Sequence, residues 1–205
     1  IPGTLGNNNV TWEKESKLDI GIDFSMFNGA IKGTADLFKN KRRDILTTLQ
    51  TAPHYFGVPA SGLPPENLGI VSNSGYEFEL AYNGRAGQLR YNFKGAYSYA
   101  KNKILEIDEV PQQFAYKTQT GHSIGEVQEY IWDGYYSVAE AADPSVAKYI
   151  GSTTAAGGDG TTIPGFLKYR DNNGDGVITD DDKGYFGNSN LPTTILSFSS
   201  GLSYR

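Results

Sequence analysis

Apolar and polar residues alternate along several stretches of the chain. Between Leu18 and Met26 the even positions are apolar and the odd positions are polar or small, a period of two that is typical of a β-strand with one apolar face. The same period returns in four later stretches. The pattern predicts five strands, at 17–27, 30–46, 75–83, 88–104 and 193–205.

The connections between these strands differ in length. Asn28-Gly29 favours a tight type I′ hairpin turn after the first strand, and residues 83–87 predict a second short turn. Residues 47–67 are rich in Pro, Gly and Ser, and residues 107–192 lack sustained strand periodicity, so both segments are predicted as long loops. Within the second loop, Asp143-Pro144 predicts the start of a short helix, and residues 151–160 a flexible linker.

Short turns that alternate with long loops are typical of outer-membrane β-barrels. One face of the predicted strands is rich in aromatic residues and the other carries ionised groups, as a lipid-facing wall and a wet lumen require. A soluble antiparallel sandwich with one solvated face has the same pattern, so both architectures stay open. Five strands cannot close a barrel, so in a membrane we expect the chain to be part of a longer polypeptide or to pair along both sheet edges.

Composition agrees with an all-β, antiparallel fold. The chain of 205 residues contains 14 Tyr, 10 Phe and 25 Gly, a mixture that favours strands and tight turns. The net charge of −5 argues against a nucleic-acid partner, which requires a basic face. The absence of cysteine excludes disulfides and thiolate metal sites. We find neither a signal peptide nor an apolar run long enough for a transmembrane helix, so any membrane crossing is expected to use strands.

Four blocks of the sequence resemble the barrel of SusC-like TonB-dependent outer-membrane transporters. The first block combines NVTWE (9–13), LDIGIDF (18–24) and GTAD (33–36), and the second is NLGIVSNSGYE (67–77). The third block is GHSIG (121–125) with Tyr130 and Asp133-Gly134, and the fourth runs from Pro164-Gly165 to Gly187-Asn188. The blocks occur in the family's order and span most of the chain.

The resemblance implies a C-terminal part of a barrel of about 22 strands in the bacterial outer membrane. Such transporters import glycans or oligopeptides, work with a SusD-like surface lipoprotein as a lid and draw energy from the TonB system. The plug domain, the TonB-contacting segment and the rest of the barrel are expected to lie outside these 205 residues. The competing hypothesis is a soluble or cell-surface, calcium-stabilised β-sandwich that serves in binding or adhesion.

The segment DNNGDGVITDDDK, residues 171–183, fits the spacing of an EF-hand-like calcium loop. Its predicted ligands are Asp171, Asn173, Asp175, the Val177 carbonyl, Thr179 and Asp182, with Asp182 in place of the usual final Glu. We expect a structural Ca²⁺, because no paired helices are predicted that a calcium sensor could open. A solvated acidic turn without an ion is the alternative.

Nothing in the sequence predicts an enzyme. Glu77 and Glu79 lie on one face of one strand and do not flank a bond from both sides, as glycoside hydrolysis requires. His54 and His122 lie in loop regions without a nucleophile motif beside them.

Two further groups are candidate contact surfaces. The aromatic residues of the large loop either contact substrate or partner or pack the loop upon itself; they are Tyr130, Trp132, Tyr135 and Tyr136. The basic residues near the end of the second strand either meet anionic lipid headgroups or form an ordinary solvated strand end; they are Lys39, Lys41, Arg42 and Arg43.

Overall fold

The computed structural model of the chain describes residues 6–51, 62–149 and 163–204. The first four strands are β1 (Lys14–Met26), β2 (Ile31–Thr47), β3 (Glu66–Ala86) and β4 (Leu89–Glu106). Short elements follow, namely β5 (Glu126–Glu129), β6 (Trp132–Tyr135), α1 (Val138–Ala142), β7 (Lys148–Tyr149), β8 (Leu167–Tyr169), β9 (Val177–Ile178) and β10 (Gly184–Ser189). The last strand is β11 (Thr194–Tyr204), and single 3-10 turns lie at Ala115–Lys117 and Asp180–Asp182.

Five strands form one antiparallel sheet in the order β1-β2-β3-β4-β11, and β1 and β11 are its edges. The sheet is open, as the prediction of a partial barrel requires. Strand β3 begins at Glu66, whereas the sequence predicted a start at 75 and a loop over 47–67. Side-chain alternation ends near Tyr76, but the backbone ladder between β2 and β3 continues to Thr47 and Glu66, because hydrogen bonding does not require an apolar face.

Both short connections are tight turns, and the second is shorter than predicted. Phe27 and Asn28 both have φ of 53°, and the Gly29 amide donates to the Met26 carbonyl at 3.1 Å. The Ala30 amide donates to the Phe27 carbonyl at 3.1 Å, and Gly29 has φ of 86°, so the predicted turn centred on Asn28-Gly29 is present and overlaps one centred on Phe27-Asn28. The second hairpin pairs Ala86 with Leu89, so its turn consists of residues 87 and 88 instead of 83–87.

The register places the apolar residues of all five strands on one face, called here the apolar face. Its members are Leu18, Ile20, Ile22, Phe24, Met26, Ile31, Leu37, Tyr76, Phe78, Leu80, Tyr82, Tyr91, Phe93, Tyr97, Tyr99, Leu196, Phe198, Leu202 and Tyr204. Tyrosines stack near both ends of this face: Tyr76 and Tyr99 have ring centroids 5.4 Å apart, and Tyr82 and Tyr91 5.9 Å apart. Six residues of strand separate Tyr76 from Tyr82, or about 20 Å at the usual rise.

The opposite, polar face carries the ionised side chains of the sheet. Lys94 Nζ lies 2.8 Å from Glu79 Oε1, and the Ser98 hydroxyl donates to Glu77 Oε1 at 3.3 Å. The two glutamates therefore have separate partners on β4 and do not form a facing carboxylate pair.

The apolar face is exposed, which argues against the sandwich hypothesis. Ile22, Leu196 and Phe198 are 66%, 78% and 73% exposed. A sandwich would bury such side chains beneath a second sheet, where each would contribute about 1.5 to 3 kcal/mol. An apolar face flanked by tyrosines instead fits a strand wall in lipid. No helix in the described part of the chain is long and apolar enough to cross a bilayer.

The segment predicted as a loop over 107–192 contains short strands and helical turns. Residues 111–119 and 125–190 form a compact unit of their own, called here the loop unit.

The predicted helix after Asp143-Pro144 is wrong. Helix α1 precedes it, with a capping box between Ser137 and Glu140, and Asp143 is its C-terminal cap. A residue before proline disfavours helical backbone, so the helix ends there. The predicted linker at 151–160 and His54 lie outside the described residues.

Candidate functional site

The loop unit is built around the acidic segment 171–183. Ile178 and Asp182 are fully buried, and Tyr136 is 3% exposed. Ile178 lies on β9, which pairs in parallel with β7. An apolar anchor within the acidic segment therefore fixes that segment to the rest of the unit.

The Asp182 carboxylate accepts hydrogen bonds from the backbone of its own loop. Its Oδ1 accepts from the Asn172 amide at 2.8 Å and the Asn173 amide at 3.4 Å, and its Oδ2 accepts from the Thr179 amide at 2.8 Å. The Asn172 side chain donates to the Asp182 carbonyl at 2.6 Å. The buried Asp182 carboxylate thus connects the start of the loop, at Asn172 and Asn173, to its end at Thr179. Asp182 itself belongs to the 3-10 turn that follows.

The other predicted calcium ligands also bond to the loop backbone. Asp171 accepts from the Gly174 amide at 2.6 Å and the Gly176 amide at 2.8 Å. The remaining side chains act in the same way: Asn173 Oδ1 accepts from the Asp175 amide, Asp175 Oδ1 from the Val177 amide, and Thr179 Oγ1 from the Asp181 amide. Gly174 and Gly176 have φ of 76° and 86°, which glycine adopts without strain.

The side chains of the acidic loop bond to its own backbone. In the ranges 6–51, 62–149 and 163–204, no three His, Cys, Asp or Glu side chains come together as a metal site. The residue predicted to close the cage, Asp182, faces backbone amides with both oxygens. Calcium binding therefore stays a prediction of the sequence. Asp171, Asn173 and Asp175 occupy the first three ligand positions of the calcium-loop spacing.

Three tyrosines pack against the acidic segment. The Tyr130 ring lies 5.0 Å from the Tyr169 ring and 5.5 Å from the Tyr149 ring. Its hydroxyl donates to Asp180 Oδ1 at 3.3 Å, and Lys183 Nζ lies 5.0 Å from the ring centroid. Burial raises the pKa of the Tyr130 hydroxyl above its usual range. Tyr130, predicted as a contact residue, therefore serves to pack the loop unit.

Tyr136 also belongs to the interior, contrary to its prediction as a contact residue. Its hydroxyl donates to the Ala147 carbonyl at 2.7 Å, and Lys148 Nζ lies 5.0 Å from its ring centroid. Tyr135 and Tyr136 are adjacent at the end of a strand, where successive side chains point in opposite directions. Because Tyr135 points outward, Tyr136 points inward.

Trp132 and Tyr135 remain as the exposed aromatic pair of the loop unit. They are 58% and 60% exposed, with ring centroids 5.7 Å apart in an edge-to-face arrangement. Gly134 has φ of 100°, and the pairing of β6 with β8 shifts between Trp132 and Tyr135. This irregularity brings two residues three positions apart onto one side. Leu167, opposite Tyr135 on β8, is 49% exposed and extends the apolar surface.

An ion pair supports the strand that pairs with Tyr135. Glu140 Oε1 lies 2.9 Å from Lys168 Nζ, and Glu140 Oε2 accepts from the Ser137 amide at 2.9 Å. Lys168 also lies 3.7 Å from Asp133, beside Trp132. The hydrogen bond from Lys168, together with those from Ser137, lowers the pKa of Glu140 from 4.5 to about 2.

Acid is therefore expected to loosen α1 and its contact with β8. Since the folded pKa of Glu140 is lowered, its contribution is complete above pH 4.5 and is lost as the pH falls toward 2. Hydrogen exchange of residues 137–142 in the full-length protein, corrected for intrinsic rates, checks this. Glu140→Gln keeps a capping side chain but not the charge, so its protection is expected to be lower and independent of pH in this window. A parent profile that is flat between pH 5 and 2 contradicts the assignment.

Comparison with known proteins gives consistent matches along the chain. Residues 2–172 match the family described as TonB dependent receptor-like, beta-barrel. TonB-dependent receptor P26 of Formosa agariphila is 30% identical over 214 residues, which cover 99% of this chain and 20% of that protein. TonB-dependent receptor SusC of Bacteroides thetaiotaomicron is 31% identical over 74 residues, or 36% of this chain and 7% of that protein.

The fold is shared with a solved structure. The RagAB peptide transporter superposes on 99% of this chain and 21% of its own chain, with a TM-score of 0.65 and 17% identity. The chain thus spans about a fifth of the length of the relatives that it matches from end to end.

Proposed function

Because the chain belongs to the TonB-dependent receptor-like β-barrel family, we propose that it forms part of the wall of an outer-membrane transporter that imports glycans or oligopeptides. The chain is an outer-membrane protein of the SusC-like type. The observation that carries the proposal is the two-sided sheet: its apolar face is exposed and flanked by tyrosines, and its polar face carries charges suited to a wet lumen. The proposed function is transport, with no catalytic step.

The proposed orientation follows from the connections. Tight turns join β1 to β2 and β3 to β4, while long segments leave the opposite ends of the strands. In outer-membrane barrels the short turns face the periplasm and the long loops face outward. The connection between β4 and β11 would then leave the strands on the external side, where substrate and a SusD-like surface lipoprotein arrive. TonB coupling would use parts of the complete protein beyond these strands.

Uptake by cells that express the full-length protein tests the transport proposal. We expect labelled glycans or oligopeptides to enter only when both TonB and the associated SusD-like lipoprotein are present. Glycan and oligopeptide mixtures are tested separately, because neither class is favoured by the residues of this chain. Uptake that persists without TonB, or no uptake of either class, contradicts the proposal.

The exposed pair Trp132–Tyr135 is the proposed contact surface for substrate or lipoprotein. Edge-to-face aromatic rings provide rigid contact area, and such residues often cost more than 1 kcal/mol when truncated. Replacing both by alanine is expected to weaken binding of substrate or lipoprotein about tenfold or more, measured by calorimetry on the purified full-length protein. Val138→Ala removes an exposed apolar side chain without a ring and is expected to change affinity less than about twofold. Equal losses in the two variants contradict a specific role for the aromatic pair.

Calcium is proposed as an optional addition to the acidic loop. The side chains of Asp171, Asn173 and Asp175 support it through their template spacing, and Asp171 and Asp175 contribute two carboxylates. Calorimetry with Ca²⁺ on the parent protein, beside an Asp171→Ala, Asp175→Ala variant, tests it. No heat in the parent at millimolar calcium removes the ion from the proposal.

A further inference from the structure

Four lysines continue the rows of the apolar face beyond its tyrosines. Strand β2 contributes Lys39 and Lys41, and β4 contributes Lys101 and Lys103. The register across β3 is Lys39–Ser74–Lys101 in one row and Lys41–Ser72–Lys103 in the next. At ordinary sheet spacings the four Cα atoms occupy an area of about 10 Å by 7 Å. We call this group the lysine patch.

The lysine patch lies at a defined height on the sheet. On β2 to β4, Leu37, Tyr76 and Tyr99 form the last apolar row. The next row of the same face runs from Leu18 on β1 through Lys39 and Ser74 to Lys101. Lys39 and Lys41 lie eight and ten residues along β2 from Ile31, which is beside the tight turn, or about 26 and 33 Å of strand. At the usual tilt of barrel strands, about 35–45°, these lengths correspond to about 20 and 25 Å of height, and the apolar band of an outer-membrane barrel is about 25 Å tall. The lysine patch therefore lies at the outer border of the hydrocarbon region, on the side from which the long connections leave.

Among the residues that the structure describes, the four ammonium groups have no acidic partner on their face. All four lysines are exposed. The ion pairs found among the described residues do not include them. By contrast, Arg42 points to the polar face and lies 3.7 Å from Glu13. Four like charges at this spacing repel one another unless an anion lies between them.

We propose that the lysine patch binds anionic lipid headgroups of the outer leaflet through their phosphate groups. Headgroup phosphates lie at the outer border of the hydrocarbon, which is the height of the patch, and Ser74, between Lys39 and Lys101, offers a hydroxyl donor. The sequence alone does not distinguish the directions of the basic residues at the end of β2. The register shows that Arg42 lies on the polar face, and that β4 adds two lysines to the lipid side. The inference rests on the proposed membrane orientation, but not on which substrate is imported.

Native mass spectrometry of the full-length protein in neutral detergent tests the proposal, with phosphatidylglycerol as anionic probe and phosphatidylcholine as neutral probe. The parent protein is expected to prefer phosphatidylglycerol, less so as salt is raised. Replacing all four lysines by glutamine is expected to weaken phosphatidylglycerol binding about tenfold or more, because each lysine near an anionic surface contributes severalfold. Retention of millimolar inorganic phosphate in place of the lipid would overturn a lipid as the occupant.

Two double variants that each remove two positive charges provide the matched comparison. Lys39→Gln, Lys101→Gln acts on the lipid side, and Lys17→Gln, Arg42→Gln acts at the same strand ends on the polar face. Only the first is expected to weaken lipid binding. Equal loss in both, or no loss in either, overturns the proposal. Uptake measured on the same variants separates the two inferences, since failed transport with intact lipid preference contradicts only the transport function.

Discussion

Replacing Gly75 by valine is expected to prevent stable assembly of the barrel wall. Gly75 lies in β3, the central strand of the sheet, between Phe38 on β2 and Ala100 on β4. A Cβ atom there would collide with the Tyr99 carbonyl oxygen and would lie 2.6 Å from Phe38 Cζ and 3.0 Å from the Ala100 Cα. Because two of these atoms belong to the backbone of β4, relief requires the β3–β4 ladder to move.

The expected destabilisation is about 3 kcal/mol, at the upper end for overpacking of a well-packed site. The amount of folded full-length protein in the outer membrane, measured by its resistance to unfolding in detergent without heating, is expected to fall strongly. Gly95→Val is the matched control, since a Cβ at Gly95 on β4 has no neighbour within 4 Å. If the two variants assemble equally well, β3 and β4 are not packed as described.

The strands and their two faces could be predicted from the sequence because the apolar face must be continuous. A face in contact with lipid imposes a period of two over the whole lipid-contacting length of each strand, and that period is visible in the sequence. Beyond that length, the sequence pattern no longer identifies the strand. Residues 66–74 belong to β3 by backbone hydrogen bonding, but their apolar and polar side chains do not alternate with a period of two.

The loop unit was harder to predict because its strands are short. Elements such as β7 and β9, with two residues each, are too short to show a period. Helix α1 does leave a signal, since Ser137 and Glu140 have the spacing of a capping box, but Asp143-Pro144 is a competing signal for a helix start. The placement of Trp132 and Tyr135 on one side depends on the irregular pairing of β6 with β8, which follows from the fold and not from local sequence.

The acidic loop shows how a motif can predict a turn without fixing its ligand. The spacing of the calcium template brings carboxylates close to the backbone amides of a tight loop. Those amides are donors, and they use the carboxylates of Asp171 and Asp182 as acceptors. The template therefore predicted the compact turn through Gly176, whereas the role of Asp182 became visible only with its burial and its three amide partners.

Asp182→Ala is accordingly expected to open the acidic loop. The change leaves the amides of Asn172 and Thr179 without their acceptor at a fully buried position, which costs about 2 to 3 kcal/mol. Hydrogen exchange of residues 171–183 in the full-length protein is expected to accelerate by about 30- to 150-fold at that cost. Asp181→Ala is the control. Its side chain is 59% exposed and pairs with Lys117 at 2.7 Å, so its removal is expected to cost less than about 1 kcal/mol.

Repeating the exchange measurement with a calcium chelator distinguishes the two roles of Asp182. If its carboxylate holds the loop through backbone amides, the parent loop stays protected in the chelator, and Asp182→Ala is unprotected with or without calcium. If the carboxylate instead closes a calcium cage, the chelator alone makes the parent loop exchange as fast as the variant. The first result is expected, because both carboxylate oxygens face amides at 2.8 Å. Calcium binding by Asp171, Asn173 and Asp175 is compatible with this result, since a loop already closed by Asp182 would hold those three side chains close together.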